Sequence, residues 1–312
     1  MRNVTLRQMR VFAAVARHLS FTRAARELHL TQPAVSQQVK LLEQEVGMPL
    51  FEHIGRKVHL APAGVELLRY TDQAMELLRQ AGESLAAMRG LKRGVLKLGA
   101  VSTAKYFAPS LLSAFKPAYP EVTLELALGN REEIIRQLAA NEIDLVIMGR
   151  PPRELKTVAA PFAKNPLVVI ASASHPLAQR RRIKLSQLES ESFLIRETGS
   201  GTRASMERVF RELGFPLKVA MEVSSNETIK QAVMAGMGIS FISRHTVGLE
   251  LAAGKLVVLD VVGLPIIRDW YVIHLQDKRL APIPVAFRAF LLEHGAHILH
   301  KAVGDVPVRR SR

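Results

Sequence analysis

The chain has 312 residues, enough for two or three domains that each bury a core of their own. It contains no cysteine, which excludes disulfides, thiolate metal sites and cysteine nucleophiles. Its 43 Lys and Arg against 28 Asp and Glu give a formal net charge of +15, which favours a polyanion such as nucleic acid as a partner.

The charge does not locate a nucleic-acid site by itself. Residues 1–60 contain nine Lys or Arg and four Glu, so most of the positive excess lies elsewhere, including the run 180–182 and the arginines of the last four residues. The chain opens with a helical pattern rather than an apolar leader, and it has no run of about 18 apolar residues. We therefore predict a cytoplasmic protein with no membrane partner.

Apolar residues recur every three or four positions near the start of the chain, which predicts a first helix with one apolar side. These residues are Leu6, Met9, Phe12, Ala13 and Ala16.

Two more helices follow, each with an N-cap residue. Ser20 precedes a second helix over 21–28, and Thr31 precedes a third with Pro33 in its first turn, where the missing N–H costs nothing. The spacing of four, three and four predicts that the third helix buries the stripe Val35, Val39, Leu42 and Val46.

The opposite face of the third helix carries Gln32, Ser36, Gln37 and Lys40, with no carboxylate to repel phosphate. Glutamine amides can pair with adenine in the major groove, a serine hydroxyl can donate or accept a hydrogen bond, and a lysine can contact the DNA phosphates. The same four residues also suit an ordinary solvated helix face. The spacing of the second and third helices, a helix-turn-helix, favours the DNA interpretation.

A hairpin with a cationic tip is predicted next. Two strand-like runs, 50–54 and 57–60, flank Gly55 and Arg56. An arginine at such a tip suits a narrow minor groove, whose potential is strongly negative. A plain solvent-exposed turn is the alternative.

The stretch SFTRAARELHLTQPAVSQQVKLLEQEVGMPLFEHIGRKVHLAPAG resembles the winged helix-turn-helix of the LysR-type transcriptional regulators. The resemblance implies the following contacts: Gln32, Pro33, Ser36 and Gln37 at the groove, Thr22 and Lys40 near phosphates, and Arg56 as the wing contact. Two positions depart from the common pattern. Gln37 stands where arginine is frequent, which leaves the base read there open, and Ala61 replaces a usual Thr, which weakens a helix cap by about 1 kcal/mol.

A long connecting helix is predicted over 62–91. An apolar residue recurs every seven positions along it, which forms a stripe on one side of the helix. The stripe is Leu67, Ala74, Ala81 and Met88, and the apolar residues Leu68, Met75, Leu78 and Leu85 lie beside it. Such a stripe packs either on its own domain or on a second copy of the helix. The LysR resemblance implies the second, a dimer that binds two half-sites of an interrupted palindrome.

Strand-like runs alternate with helical stretches in the remainder, which predicts an α/β domain with parallel sheets. The runs are 95–100, 122–128, 145–148, 167–171, 193–195, 218–223, 239–243 and 266–274. In such sheets ligands bind beyond the carboxyl ends of the strands, beside helix N-termini.

Polar side chains fill several strand-to-helix turns. One such turn is usually only a helix cap, but five in one domain predict a convergent pocket. The candidate ligand-binding residues are Ser102, Thr103, Lys105, Asn130, Arg150, Ser200, Gly201, Thr202, Arg203, Asn226 and His245. Among them the cations Lys105, Arg150 and Arg203 favour an acidic ligand, although each is equally typical of a solvated surface.

This region resembles the LysR-type effector domain, a two-lobed periplasmic-binding-protein fold. The resemblance implies a reader at 1–61, a dimerisation helix at 62–91, an effector domain at 92–300 and a flexible basic tail at 301–312. Lobe one comprises 95–163 and 268–300, and lobe two 164–267.

The segments VSTAKYFAP, GNRE, DLVIMGRPP, ETGSGTR and SNETIKQAVMAGMGISFIS resemble the CbbR subgroup, which controls RuBisCO operons of the Calvin cycle. That subgroup implies a sugar phosphate or NADPH as effector, no cofactor or metal, a homodimer or homotetramer that activates transcription, and RNA polymerase as a partner.

Other classes of protein fit less well. No GxSxG, HExxH or P-loop pattern supports an enzyme, and His294, His297 and His300 are interpreted as solvated or packing side chains rather than metal ligands. A secreted two-lobed binding protein needs a signal peptide, and an architectural DNA-binding protein has no use for a pocketed domain. A LysR-type regulator of another operon, with another acidic effector, remains the closest alternative.

Overall fold

The computed structural model describes residues 4–55, 57–88, 92–212 and 214–303. Two compact units divide the chain, Met1–Leu85 and Ala86–Arg312. In the described part of the chain, no helix combines the length and the apolarity needed to cross a membrane.

Among the described residues, the first unit contains α1 (Leu6–His18), α2 (Phe21–Glu27), α3 (Gln32–Val46), the hairpin of β1 (Phe51–Ile54) and β2 (Lys57–Leu60), and most of α4 (Pro62–Met88). The Ser20 and Thr31 side chains cap α2 and α3, as predicted, by accepting main-chain N–H groups of Arg23 and Ala34. A cap of this kind stabilises a helix by about 1 kcal/mol.

The core of this unit forms where α1, α2 and α3 pack together. Val35, Val39 and Leu42 are buried as predicted, whereas Val46 is only half-buried. Of the apolar stripe predicted for α1, Phe12, Ala13 and Ala16 are buried, whereas Met9 is half-buried and Leu6 is 47% exposed. Of the long α4 the structure describes 62–88. Residues 89–91 of the predicted helix lie outside the described residues, as does the side chain of Met88.

The start of α4 lies very close to the residue that precedes the hairpin, and the contact is made at a glycine. A Cβ atom built on Gly64 would lie 2.1 Å from the carbonyl oxygen of Leu50, so only glycine allows the first turn of α4 to approach the chain this closely.

Within its described residues, the second unit contains nine strands and six helices, with short 3-10 turns between them. The strands are β3 (Arg93–Val101), β4 (Glu121–Gly129), β5 (Leu145–Met148), β6 (Thr157–Ser172), β7 (Phe193–Arg196), β8 (Val219–Val223), β9 (Ser240–Ser243), β10 (Leu256–Val258) and β11 (Ile266–Leu275). The helices are α5 (Ala108–Phe115), α6 (Arg131–Ala139), α7 (Gly201–Glu212), α8 (Asn226–Met234), α9 (Gly248–Ala252) and α10 (Pro282–Val303).

Seven of these strands form one mixed sheet, which corrects the prediction of parallel sheets. The order is β10-β6-β11-β5-β3-β4, with β9 also paired to β6. Only β3 with β4 and β3 with β5 are parallel there, while β6 and β11 pair antiparallel. The two-stranded sheet of β7 and β8 is parallel. All eight predicted runs fall on strands, and the short β10 was not predicted.

Two sets of apolar side chains lie at opposite ends of the long strand β6. Phe107, Phe115, Trp270 and Phe287 belong to one core, which α5 and α10 cover. Phe193, Phe210 and Phe241 belong to another, which α7 covers. The first half of β6 pairs with β11 and its last residues pair with β9 and β10, so β6 and β11 connect the two cores. Helix α10 continues to Val303, so 301–303 are helical rather than part of the predicted tail, and 304–312 lie outside the described residues.

Candidate functional site

The polar face of α3 is open to solvent. Gln32, Gln37 and Lys40 are exposed and Ser36 is half-buried, while Val35 and its stripe face the core. Gln32 Nε2 donates to Ser36 Oγ at 2.9 Å, so these two side chains present a joined amide and hydroxyl. This surface offers hydrogen-bond donors and acceptors without any negative charge, which suits base edges flanked by phosphates.

The other predicted nucleic-acid contacts lie in α2, in the first turn of α3 and at the tip of the hairpin. Thr22, in the first turn of α2, is exposed, and so is Pro33. Lys57, which begins β2 and was not among the predicted contacts, is exposed as well. Arg56, the predicted tip of the wing, lies outside the described residues.

A cavity lies between the two cores of the second unit. It sits where β3 and β5 end and where α6 and α7 begin, the edge at which α/β folds bind ligands. Its lining residues are Val101, Ser102, Thr103, Asn130, Arg131, Met148, Gly149, Arg150, Asn165, Leu167, Arg196, Ser200, Gly201, Thr202, Arg268 and Trp270. We refer to it below as the inner cavity.

Seven of the eleven predicted ligand-binding residues line the inner cavity: Ser102, Thr103, Asn130, Arg150, Ser200, Gly201 and Thr202. The hydroxyls of Thr103, Ser200 and Thr202 belong to buried residues. Asn130 is the N-cap of α6, and Ser200 to Thr202 form the start of α7, so main-chain N–H groups and hydroxyls converge here.

The other four predicted residues do not line the inner cavity. Two of them are cations held by carboxylates. Lys105 Nζ lies 3.6 Å from Glu227 Oε1. Arg203 donates to Glu207 at 2.7 Å and to Glu222 at 2.5 Å. Both cations are therefore paired with carboxylates that do not line the inner cavity.

Asn226 and His245 each support a residue that does line the cavity. Asn226 Oδ1 accepts from Arg196 Nη1 at 2.6 Å, and both residues are buried. His245 Nδ1 accepts from Trp270 Nε1 at 3.0 Å. Burial, with a contribution from Arg244, lowers the pKa of His245 to about 4, which keeps the ring neutral and able to accept at neutral pH.

Three arginines that the sequence reading missed face the inner cavity. Arg268, on β11, donates from Nη2 to the Gly149 carbonyl at 2.7 Å and from Nη1 to the Gly201 carbonyl at 3.3 Å, and it also contacts Ser205 Oγ. It therefore joins the loop after β5 to the first turn of α7.

Arg131, the first residue of α6, holds the loop after β5 from the other side. It donates from Nη1 to the Arg150 carbonyl at 2.5 Å and to Met148 Sδ at 3.3 Å, and from Nη2 to the Pro151 carbonyl at 3.2 Å. Arg196, the last residue of β7, is 3% exposed and donates to Glu197, Asn226 and Ser102.

The cavity wall carries more positive charge than its described contacts neutralise. Burial, together with nearby Arg208, Arg150 and Arg131, lowers the pKa of Arg268 to about 10. Burial also lowers the pKa of Arg131. Both groups remain charged at neutral pH, and charges this poorly solvated are stabilised by a bound anion. The cavity is thus suited to a small ligand with a phosphate or carboxylate group.

Two family models match the chain. The lysR family of bacterial regulatory helix-turn-helix proteins matches residues 6–65, and the LysR substrate binding domain matches residues 89–296.

Curated relatives are similar over nearly the whole length. The HTH-type transcriptional regulator CfxR of Cupriavidus necator is 50% identical over 311 residues, 99% of this chain and 98% of the relative. A RuBisCO operon transcriptional regulator of Allochromatium vinosum is 48% identical over 296 residues, 95% of this chain and 98% of the relative.

A solved structure resembles the second unit. It is the regulatory domain of CcmR from Synechocystis in complex with 2-PG, 2-phosphoglycolate, with 42% identity and a TM-score of 0.62. The match covers 64% of this chain and 96% of that domain.

Proposed function

The chain belongs to the LysR family and is a DNA-binding transcriptional regulator; on that premise we propose that it controls a carbon-fixation operon encoding RuBisCO. The observation that carries this proposal is the 48% identity, over 95% of the chain, to a relative named as a RuBisCO operon regulator. Family and relatives are regulators, so the proposal assigns the cavity to ligand binding, with no catalytic step, in the bacterial cytoplasm.

DNA recognition is assigned to α3. Gln32, Ser36 and Gln37 reach base edges in the major groove, and Pro33 lies beside them. Thr22 and Lys40 contact phosphates, and Arg56 is assigned to the wing. The exposure of Gln32, Gln37 and Lys40 on one face supports this assignment, because a recognition helix must present such side chains outward.

Dimerisation is assigned to the linker helix within 62–91, between the reader at 1–61 and the effector domain at 92–300. Tyr70, Leu77, Leu78 and Leu85 on α4 are 45–64% exposed, and the pairs 70 with 77 and 78 with 85 are spaced by seven. Apolar residues that recur every seven positions form the contact between two helices packed side by side. The dimer, and a tetramer built from it, then spans two half-sites of an interrupted palindrome and contacts RNA polymerase.

A phosphorylated metabolite is proposed as the effector in the inner cavity. Arg131, Arg196 and Arg268 supply the charge, and the α6 and α7 N-termini supply N–H groups for phosphate oxygens. The complex of the similar CcmR domain with 2-phosphoglycolate supports the same class.

A ligand changes regulation only through unequal affinity for two arrangements of the domain. The inner cavity is lined by residues from both cores, so a bound phosphate favours the arrangement in which those residues converge. The dimer transmits that preference to the spacing of its two readers.

Nuclease footprinting on the promoter region of the RuBisCO operon tests the proposal. We expect the full chain to protect two half-sites and 2-phosphoglycolate to alter the pattern, with protection surviving an excess of unrelated DNA. Weak protection everywhere, with a steep salt dependence, contradicts the proposal and indicates an architectural protein. Protection only at another operon indicates a LysR-type regulator of a different pathway.

A further inference from the structure

We infer that the second unit makes a DNA contact of its own, through a cationic loop of residues 179–184 that binds backbone phosphates of the DNA held by the reader. The loop contains the run Arg180, Arg181 and Arg182, followed by Lys184. It does not line the inner cavity, and it belongs to a different unit from α3. The contact is therefore separate from ligand binding and from base recognition.

The charges of the cationic loop are not neutralised within the chain. Its three arginines and its lysine are exposed, and none of them forms an ion pair with a carboxylate of the described residues. Other cations of the second unit do form such pairs: Lys164 lies 2.9 Å from Asp269, and Arg203 lies 2.5 Å from Glu222. Adjacent positive charges without a counter-ion repel one another, and a bound anion relieves that repulsion.

The N-terminal end of the loop is fixed by hydrogen bonds around a histidine. His175 Nδ1 accepts from the Leu177 main-chain N–H at 3.2 Å, and Nε2 of the same ring lies 3.3 Å from Glu191 Oε2. The Leu177 carbonyl accepts from the Arg180 main-chain N–H at 3.1 Å. Leu177 itself is buried in the core of Phe193, so the loop starts from a rigid point.

The C-terminal end of the loop is fixed by Ile183, which is 1% exposed and belongs to the same core. Its main-chain N–H donates to the Asp260 carbonyl at 2.8 Å, and its carbonyl accepts from the Val262 N–H at 2.9 Å. The three arginines thus lie between two buried anchors. Because their main chain is already ordered, a partner binds them with little further loss of conformational entropy.

Arg182 has an unusual backbone conformation. Its φ of 50° lies in the left-handed region, which costs a residue other than glycine about 1–3 kcal/mol and persists only where the surrounding structure imposes it. Glycine would adopt this conformation without strain. An arginine at such a position favours a role for the side chain itself, in addition to the loop geometry.

DNA fits this loop better than an acidic protein does. Guanidinium groups bind carboxylates and phosphates alike, so other features of the loop decide between them. Every exposed side chain of the loop is polar, since Gln179 precedes the arginines and Ile183 is buried, whereas a protein interface needs an apolar centre. The reader of the same chain also holds DNA, which raises the local concentration of phosphates around the loop.

The salt dependence of DNA binding by the full chain tests the inference. The test variant replaces Arg180, Arg181 and Arg182 together by glutamine, and each protein is titrated with the RuBisCO promoter fragment and with a random-sequence duplex of the same length. The logarithm of the association constant falls with the logarithm of the salt concentration, with a slope of about 0.9 for each phosphate contact. We expect the slope of the variant to be shallower by at least about 0.9 on both duplexes. The ratio of the two affinities should stay the same, because phosphate contacts carry no sequence information.

Two further variants separate the loop from general electrostatics. The control replaces Arg136, Arg211 and Arg279 by glutamine, which removes the same charge from three exposed arginines in α6, in α7 and before α10. It should lose less of the slope than the test variant does. Replacing the three loop arginines by lysine should keep the wild-type slope, because counterion release follows charge.

An unchanged slope in the glutamine variant of the loop overturns the inference and leaves an acidic protein as the partner to seek. An equal loss in the control variant overturns it as well, because that result reports net charge alone. A wild-type chain that does not prefer the promoter fragment contradicts the proposed operon. The slopes on the random-sequence duplex still decide the role of the loop in that case.

Discussion

Arg196 Nη2 donates a hydrogen bond to Ser102 Oγ at 3.0 Å; Arg196 ends β7, and Ser102 directly follows β3, a strand of the other core of the second unit. The same guanidinium donates to Asn226 and to Glu197. One buried arginine therefore joins β3, β7 and the start of α8 at the inner cavity, in the arrangement that we propose a phosphorylated ligand favours.

Replacing Arg196 by lysine should destabilise the second unit. Lysine keeps the charge but cannot reach three partners in the fixed geometry of a guanidinium, which leaves buried acceptors unpaired. We expect a loss of about 2–4 kcal/mol in the free energy of unfolding. Urea denaturation of the full chain measures it, and an unchanged midpoint would show that the contact adds nothing to stability.

Thr202 and Asn226 should differ in what their loss affects. Thr202→Val keeps the shape of a residue that lines the cavity, so stability should change little while affinity for 2-phosphoglycolate falls about tenfold, since hydrogen bonds to charged groups contribute about 1.5–3 kcal/mol. Asn226→Ala removes an acceptor of Arg196, so it should lower the melting temperature first. DNA affinity without ligand should stay the same in Thr202→Val. The same change in melting temperature and in affinity for 2-phosphoglycolate in both variants would contradict these separate roles.

Gln37→Ala should relax sequence preference at one base position. A lost bidentate contact costs about 1–3 kcal/mol on the preferred base and nothing on the others. Binding to a set of operators that vary at each position measures it, with Gln44→Ala, an exposed glutamine two turns along α3, as the control. Equal losses on matched and mismatched sites would exclude a base contact by Gln37.

His245 should make the second unit lose stability in acid. Its pKa is about 4 when folded and takes the ordinary value of 6.5 when unfolded, so the unfolded chain binds a proton that the folded chain does not. This contribution is complete above pH 6.5 and is lost as the pH falls toward 4. At pH 5 the loss amounts to about 2 kcal/mol.

His245→Gln should flatten that pH dependence, because glutamine does not titrate and its amide oxygen can still accept from Trp270. Denaturation at pH 7 and pH 5 measures the difference, with His297→Gln as the exposed control. If the free energy of unfolding of His245→Gln fell between pH 7 and pH 5 as much as that of the wild type, His245 would not be the group responsible.

Local signals allowed much of the fold to be predicted from sequence. The caps Ser20 and Thr31, the spacing of Val35, Val39 and Leu42, and the polar turns before α6 and α7 act within a few residues, so the pattern contains them. The first half of β6 was missed because Pro161 and Pro166 interrupt its apolar pattern. The strand forms there through pairing with distant β11, and the same antiparallel pairing makes the sheet mixed.

The arginines of the cavity could not be predicted in this way. Arg131 and Arg268 stand beside carboxylates in the sequence and look like surface charges, and only tertiary folding brings them to the loop after β5. Arg196 gave one signal, a cation directly after the apolar run 193–195. Lys105 and Arg203 show the reverse case: both were predicted from sequence, but neither lines the cavity, and each is paired with a carboxylate distant in sequence, Glu227 and Glu222.

Coupling between the inner cavity and DNA is the central claim, and it is reciprocal by thermodynamic necessity. The most direct measurement is the dissociation constant of 2-phosphoglycolate for the full chain, free and bound to operator DNA, alongside the operator affinity with and without the ligand. We predict that both comparisons change by the same factor, clearly different from one. Equal ligand affinity for the free and the operator-bound protein would contradict the account.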